Sequence, residues 1–205
     1  TAPKLTAADR KREYDGFMRT VYSDIDQGAS DAKYVHDVLK AQKIVTIHDG
    51  SPYAQQLATV MGDNFKKLGG TVLYQEAVAP TDVDMHPVLT HIATEKPDVI
   101  YAIIVGGSNV AFYKQLKAAG ITSDKWTLLT ISSTEDEVLG IGGENIAGFY
   151  SAMKYFQSLD NPNNEAFVKA FKAKYGPKSV IGDVTQAAYL GPWLWKLTVE
   201  KCGSF

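Results

Sequence analysis

The sequence predicts an α/β protein built on a parallel, Rossmann-like sheet with helices on both faces. Three observations carry this. A unit of short β-rich run, polar turn, amphipathic helix and glycine recurs along the middle of the chain. The runs VIYAIIV and TLLTI are almost wholly apolar, as strands covered on both faces must be. Strands separated by helices of this length pair in parallel through crossover connections rather than as hairpins.

Taken in order, a helix over 26–40 comes first, with Tyr34, Val35, Val38 and Leu39 inward. KIVTIHD (43–49) is the first strand. A helix over 53–68 follows, its Leu57, Val60, Met61, Phe65 and Leu68 near the 3.6-residue period. Gly69 and Gly70 supply its left-handed stop. TVLYQEAV (71–78) leads through APTD to a helix over 85–95 with Val88, Leu89 and Ile92 on one side. Asp84 suits its N-cap, and Pro87 is tolerated in the first turn. PDVIYAIIV (97–105) leads through GGSN to a helix over 108–119, stopped by Gly120. KWTLLTIS (125–132) is a fourth strand, followed by a short acidic helix in STEDEVLG. IGGENIAG (141–148) reads as a turn into a fifth strand within NIAGFYSAM (145–153).

Beyond residue 155 the character changes. YFQSLDNPNN is a polar link, and FVKAFKAKYG (167–176) and VTQAAYLGPWLWKLTVEKCG (184–203) read as helices with no strand between them. Pro192 kinks or starts a helix within the second. Trp193 and Trp195 fall on opposite sides, one inward and one outward. Each large side chain such as Phe167, Val168, Phe171, Leu194, Trp195 or Val199 left in water forfeits roughly 1.5–3 kcal/mol, so these helices need a surface to cover.

The 205 residues, 45% hydrophobic, suffice for one large domain or two small ones. A net charge of −2 with mixed signs gives no basic stripe for nucleic acid and no acidic tail. The longest apolar runs fall far short of a membrane span. The opening stretch TAPKLTAADRKREYDG is polar, without a starting Met or a signal peptide, and reads as a trimmed end, so localisation is not legible there. Cys202 is alone and cannot form an internal disulfide.

In an open α/β sheet, ligands bind outside the carboxyl ends of the strands. Four such ends are readable: HDGSPY (48–53), VAPTDVD (78–84), IVGGSN (104–109) and TISST (130–134). They share small residues, backbone N–H groups at helix starts, short hydroxyls such as Ser51 and Ser132, and carboxylates. That chemistry suits a small polar ligand. Tyr53 either offers a flat wall and a hydroxyl to that ligand or packs half-buried on the next loop. Asp82 suits a ligand ammonium or amide, and Val105, Gly106, Gly107 and Ser108 offer backbone contacts.

Other chemistries find less support. GGSN lacks both GxGxxG and the P-loop lysine, so no nucleotide cofactor is expected. His36, His48, His86 and His91 show no HExxH and no cysteine partners, so no metal is expected. Ser51 follows His48-Asp49, but GxSxG is missing and no nucleophile is poised. Tyr14, Phe17 and Tyr22 read as packing residues.

The chain resembles the type I periplasmic binding proteins of the branched-chain amino acid and urea/amide group, the soluble receptors of ABC importers. YDGFMRTVYSDIDQG (14–28) is similar to that family's passage from first to second lobe. The stretch from KIVTIHDGSPYAQQL to DVDMHPVLTHI is similar to the opening of the second lobe. PDVIYAIIVGGSNVAFYKQLKAAGI and ENIAGFYSAMKYFQSLDNPNNEAFVKAFKAKYG are closer to the urea/amide branch, whereas Ser51-Pro52-Tyr53 resembles the amino-acid branch.

The resemblance implies two lobes closing on a solute and a membrane permease as partner, with a periplasmic or extracellular location and no enzymatic activity. It places Tyr53 at the cleft aromatic, Asp82 at an acidic ligand-holding position, Asp84 at a structural helix start and Val105 to Ser108 at the third cleft loop. By the same resemblance, residues 1–22 are a remnant of the first lobe and its hinge strand, 23–154 the second lobe, and 155–205 helices that return to the first. Such a piece could also form a domain-swapped dimer. An amide sensor of the same fold is the first alternative, a small α/β hydrolase the second and a flavodoxin-like module the third.

Overall fold

The structure, a computed structural model, describes residues 23–203. Tyr14, Phe17, Tyr22 and the expected first-lobe remnant lie outside these residues. Among the described residues the order is α1 (Asp24–Asp37), β1 (Lys43–His48), α2 (Pro52–Lys67), β2 (Thr71–Ala77), α3 (His86–Glu95), β3 (Val99–Ile103), α4 (Gly107–Ala118), β4 (Leu128–Thr130), α5 (Glu135–Ile141), α6 (Gly143–Ile146), β5 (Tyr150–Ser151), α7 (Pro162–Tyr175) and α8 (Asp183–Cys202). The strands form one sheet in the order β2-β1-β3-β4-β5, every pair parallel.

Alternation along the central strands divides two cores. Ile44 of β1 and Val99, Tyr101 and Ile103 of β3 face Val35 of α1 and Leu57, Met61 and Phe65 of α2. Val45 and Ile47 of β1 with Ile100 and Ala102 of β3 face Val88, Leu89 and Ile92 of α3 and Phe112 and Leu116 of α4. Helices therefore cover both faces, as the apolar runs require.

The first helix corrects its expected inward face. Val35 is buried and Leu39 half-buried, but Tyr34 and Val38 are exposed. The inward stripe is instead Gln27, Gly28, Asp31, Ala32 and Val35. Small residues win there because α1 lies against α2: a Cβ on Gly28 would come within 2.9 Å of the Val60 side chain. Polar residues on this stripe find partners, Asp31 accepting the Tyr101 hydroxyl at 2.6 Å.

Three further expectations shift. The fifth strand shrinks to Tyr150–Ser151, because Gly142 turns the chain at φ 87° and residues 143–146 coil into α6. The polar link already contains the start of α7: Asn161 accepts the Asn164 N–H and Pro162 fills the first turn. Asp84 acts one position before the cap. Its carboxylate accepts the His86 N–H at 3.0 Å, while buried Met85 holds the cap position.

The last two helices join the sheet domain through polar contacts. α8 has no side-chain cap of its own. Its first amides are satisfied from α5's end of the molecule: Asp136 accepts the Gly182 N–H and the Thr185 hydroxyl, both at 2.9 Å, and Thr134 accepts the Asp183 N–H at 3.3 Å. A carboxylate at a helix N-terminus is also favoured by the helix dipole. Asp183 in turn accepts the Tyr155 N–H, and Tyr155 donates to Asn164 of α7. An aromatic row, Phe167 against Tyr155, Phe171 and Tyr189, joins the two helices. Farther along α8, Trp193 and Trp195 are both exposed, correcting the expectation of one inward and one outward, as are Leu194 and Leu197. Pro192 sits inside a continuous helix.

Two outcomes follow for stability. Burial pushes the Asp31 carboxyl up to about 6, against a lowering pull from the Tyr101 hydroxyl. A folded-state pKa above the unfolded one means that native structure holds the proton more tightly, so stability falls as pH rises from about 4 through about 6. Asp31→Asn, which keeps an acceptor for Tyr101, is expected to exceed the parent in urea unfolding at pH 7.5 by on the order of 2 kcal/mol, the gap closing toward pH 4. Asp136→Ala leaves the start of α8 without its carboxylate acceptor, with Thr134 alone remaining. Hydrogen exchange should speed up across 182–187 by about 10-fold or more, while β1 and β3 stay protected.

Candidate functional site

The strand order reverses direction between β1 and β3, which opens a topological switch point at the carboxyl ends of those strands. Asp49 closes this point. It is 2% exposed; one carboxylate oxygen accepts the Ser51 N–H at 2.9 Å and the other the Val105 N–H at 3.3 Å. The loops after β1 and β3 are thereby fastened together.

Ser51 is spent in the fold, its Oγ accepting the Ala54 N–H at the start of α2. Tyr53, one residue into that helix, is half-buried and packs against the α1/α2 core. Its hydroxyl donates to Gln27 Oε1 at 3.3 Å, and Gln27 Nε2 donates to the Ala152 carbonyl at 3.2 Å. Tyr53 thus leans toward α1 and the exit from β5.

A groove of about 340 Å³ lies one strand over, at the ends of β3 and β4. Val105, Gly106, Asn109, Ser132, Asp136 and Glu137 line it. Ser132 stitches the two strands, its hydroxyl donating to the Ile104 carbonyl at 2.7 Å and accepting the Ile104 N–H at 3.2 Å. Gly106 holds φ at 75°, a backbone glycine adopts without strain, and starts α4 with no side-chain cap. Gly107 is exposed in the first turn beside the groove; Ser108 is buried and donates to the Val105 carbonyl. Asn109 Nδ2 donates to the Ser132 carbonyl, yet its buried Oδ1 has no hydrogen-bond partner. Asp136 is held by the start of α8, and Glu137 by the Thr134 N–H at 2.7 Å.

Of the residues singled out in the sequence, Val105, Gly106 and Ser132 therefore share one groove, with Gly107 and Ser108 at its edge. Ser51 and Tyr53 belong to the neighbouring loop. Asp82 stands apart, exposed in a turn where its carboxylate accepts the Ala79 N–H at 2.7 Å, so it folds back on its own loop. Asp49, Asn109 and Gln27 escaped the reading. An aspartate two residues before a Ser-Pro helix start is an Asx-turn signal that could have found Asp49; Asn109 and Gln27 acquire partners only through tertiary packing.

Three of the four histidines are engaged locally. Burial holds His48 below the usual imidazole range against the pull of Asp49, and its Nδ1 accepts the Gly50 N–H. His91 contacts Glu76 at 2.8 Å and stacks on Tyr74 at 3.8 Å, and His36 contacts Asp37. Among the described residues no group of three or more His, Cys, Asp or Glu could hold a metal ion. No described helix is long and apolar enough to cross a membrane. With its serines committed to strand ends, the groove offers backbone N–H groups at a helix start, a feature suited to holding a small polar molecule.

Residues 3–205 match the family described as "Periplasmic binding protein". The Leu/Ile/Val-binding protein of Citrobacter freundii is 29% identical over 178 residues, which are 85% of this chain and 46% of that protein. The Leu/Ile/Val/Thr-binding protein of Salmonella typhimurium is 30% identical over 178 residues, with the same coverage. The chain thus spans about half the length of the curated relatives it matches. A leucine-binding protein from Thermotoga maritima superposes with a TM-score of 0.81 at 23% identity, over 98% of this chain and 57% of that one. An ABC-transporter solute-binding protein from R. palustris, solved with benzoate, gives a TM-score of 0.69 at 26% identity, over 77% of this chain and 43% of that one. The sheet order, the two helical layers and the match along nearly the whole sequence agree: this chain belongs to the periplasmic binding protein family.

Proposed function

We propose that this chain supplies one ligand-closing lobe of a solute-binding receptor for an ABC importer. Residues 23–154 form that lobe, and residues before and after it belong to or return to a second lobe. The solute, a small amino acid, amide or carboxylate, is gripped when the two lobes close by hinge motion, in the periplasm or outside the cell, and the closed form meets a membrane permease. The relatives named for binding Leu, Ile and Val and the neighbour solved with benzoate support this solute range.

One observation carries the reading: a strand-end groove lined by Val105, Gly106, Asn109 and Ser132 opens beside the start of α4, which has no side-chain cap. Uncapped backbone amides at that helix start match a solute that carries an acceptor group. Val105, Gly106, Gly107 and Ser108 contribute backbone contacts, with Ser132 holding the floor. Tyr53 and Ser51 border the cleft from the next loop, and Asp82 engages the solute only if its turn rearranges on closure. No catalytic role is assigned to any of these residues.

The exposed row on α8, Tyr189, Trp193, Leu194 and Leu197, fits the same reading, since a helix that returns to another lobe presents an apolar face to it.

Titration of the chain with leucine, acetamide, urea and benzoate, followed by amide NMR, tests the proposal. A lobe that makes half the contacts binds weakly, so millimolar saturation is expected, with shifts at 105–109 and 132–133. Asn109→Ala should weaken it by about 10-fold. Shifts confined to other surfaces, or an unchanged affinity in the variant, would overturn it.

A further inference from the structure

A second cavity lies on the α1 side of the same sheet edge. It measures about 330 Å³ and is walled by Asp26, Gln27, Ser30 and Asp31 of α1 and by residues 152–154, where the chain leaves β5. Asp31 is the unusual member. It is only 6% exposed, one carboxylate oxygen accepts the Tyr101 hydroxyl at 2.6 Å, and no other described residue hydrogen-bonds or ion-pairs with it. Burying a carboxylate without a cation is costly. The one cation among the described wall residues is drawn elsewhere: Lys154 Nζ lies 2.7 Å from Gln186 Oε1 and 3.5 Å from Asp183. The cavity thus holds a desolvated negative charge with room beside it and no counter-ion supplied by the described fold.

The occupant's chemistry follows from the walls. Metal coordination needs more ligating groups than the cavity offers. Asp31 provides a charge-assisted acceptor, the Ser30 hydroxyl a second acceptor, and Asp26 a further negative charge. An N–H-bearing organic cation satisfies all three.

We propose that this cavity is a binding site for a small organic cation, a primary ammonium or a guanidinium group, held by the Asp31 carboxylate. It is separate from the β3/β4 groove. Its walls are the start of α1 and the exit of β5, so an occupied site ties those two segments together. The charged and titratable groups facing Asp31 are Tyr101 from β3, Asp26 from α1 and Lys154 from the segment after β5. Binding requires the ionised carboxylate, and burial moves its titration to about 6.

The test is amide NMR on the 205-residue chain with n-butylammonium and methylguanidinium, against the uncharged n-butanol and methylurea at equal ionic strength. At pH 7.5 the cations should shift amides of 26–31 and 152–154 with millimolar saturation, and the neutral molecules should not. At pH 5 the affinity should fall by about 10-fold, following the fraction of ionised Asp31. Asp31→Asn should abolish the shifts while keeping the fold. Equal response to charged and neutral probes, no pH dependence, or unchanged binding in the variant would each overturn the proposal; the charge and pH comparisons decide it even if the variant fails to fold. Because the readout is at 26–31 and 152–154, its failure leaves the groove at 105–109 untouched.

Discussion

The burial of both faces of β1 and β3 is the constraint on which the rest depends. Alternate side chains of each strand enter different cores, and the backbone between them is committed to the ladders. A strand enclosed in this way has little place for unpaired polar groups along its length, since each would sit desolvated in packed hydrocarbon. Tyr101 shows what an exception requires: its ring fills the core at 0% exposure while Asp31 receives its hydroxyl. Thr46 of β1 is a second exception, its buried Oγ1 without a hydrogen-bond partner among the described residues; the remaining polar chemistry gathers at the carboxyl ends, where helices begin and amides lack partners.

Those ends form a network rather than a row of free side chains. Asp49 fastens the β1 loop to the β3 loop, Ser132 fastens β3 to β4, and Asn109 reaches from α4 to the β4 loop. The fastening groups are largely consumed by the fold, which leaves backbone amides as the available chemistry. Such a surface presents shape and backbone hydrogen-bonding groups. It also explains why Ser51, attractive beside His48 and Asp49 in the sequence, has no catalytic arrangement around it: its oxygen receives Ala54 N–H, and His48 receives Gly50 N–H.

Much of the fold was legible because its signals are local. β1 to β3 and α2 to α4 follow from apolar runs, helical periods and glycine stops. Where tertiary packing decides, local pattern misleads. Tyr34 and Val38 looked inward by hydrophobicity, yet close contact with α2 selects the face with Gly28 and Ala32. The start of α7 hid in a polar segment because Asn161 and Pro162 serve turns and helix caps alike. At the site, loop 105–108 and Ser132 were readable from their position at strand ends. Asp82 reads as a ligand carboxylate in the sequence; in the structure its carboxylate closes its own turn with Ala79, three positions away. The pairing of Asp31 with Tyr101, 70 residues apart, left no trace in local pattern.

The capping of α8 from a distance has a mechanical side. This helix of 20 residues extends about 30 Å, and its polar anchorage to the sheet domain sits at the first turn, through Asp136, Thr134 and Lys154. A rod clamped at one end magnifies rotation: a tilt of about 10° at Gly182 sweeps the far tip through about 5 Å, given that length. Lys154 ties the clamp to the segment leaving β5, so a shift of that segment by a fraction of an ångström is geared up along the rod to Trp193 and Leu197.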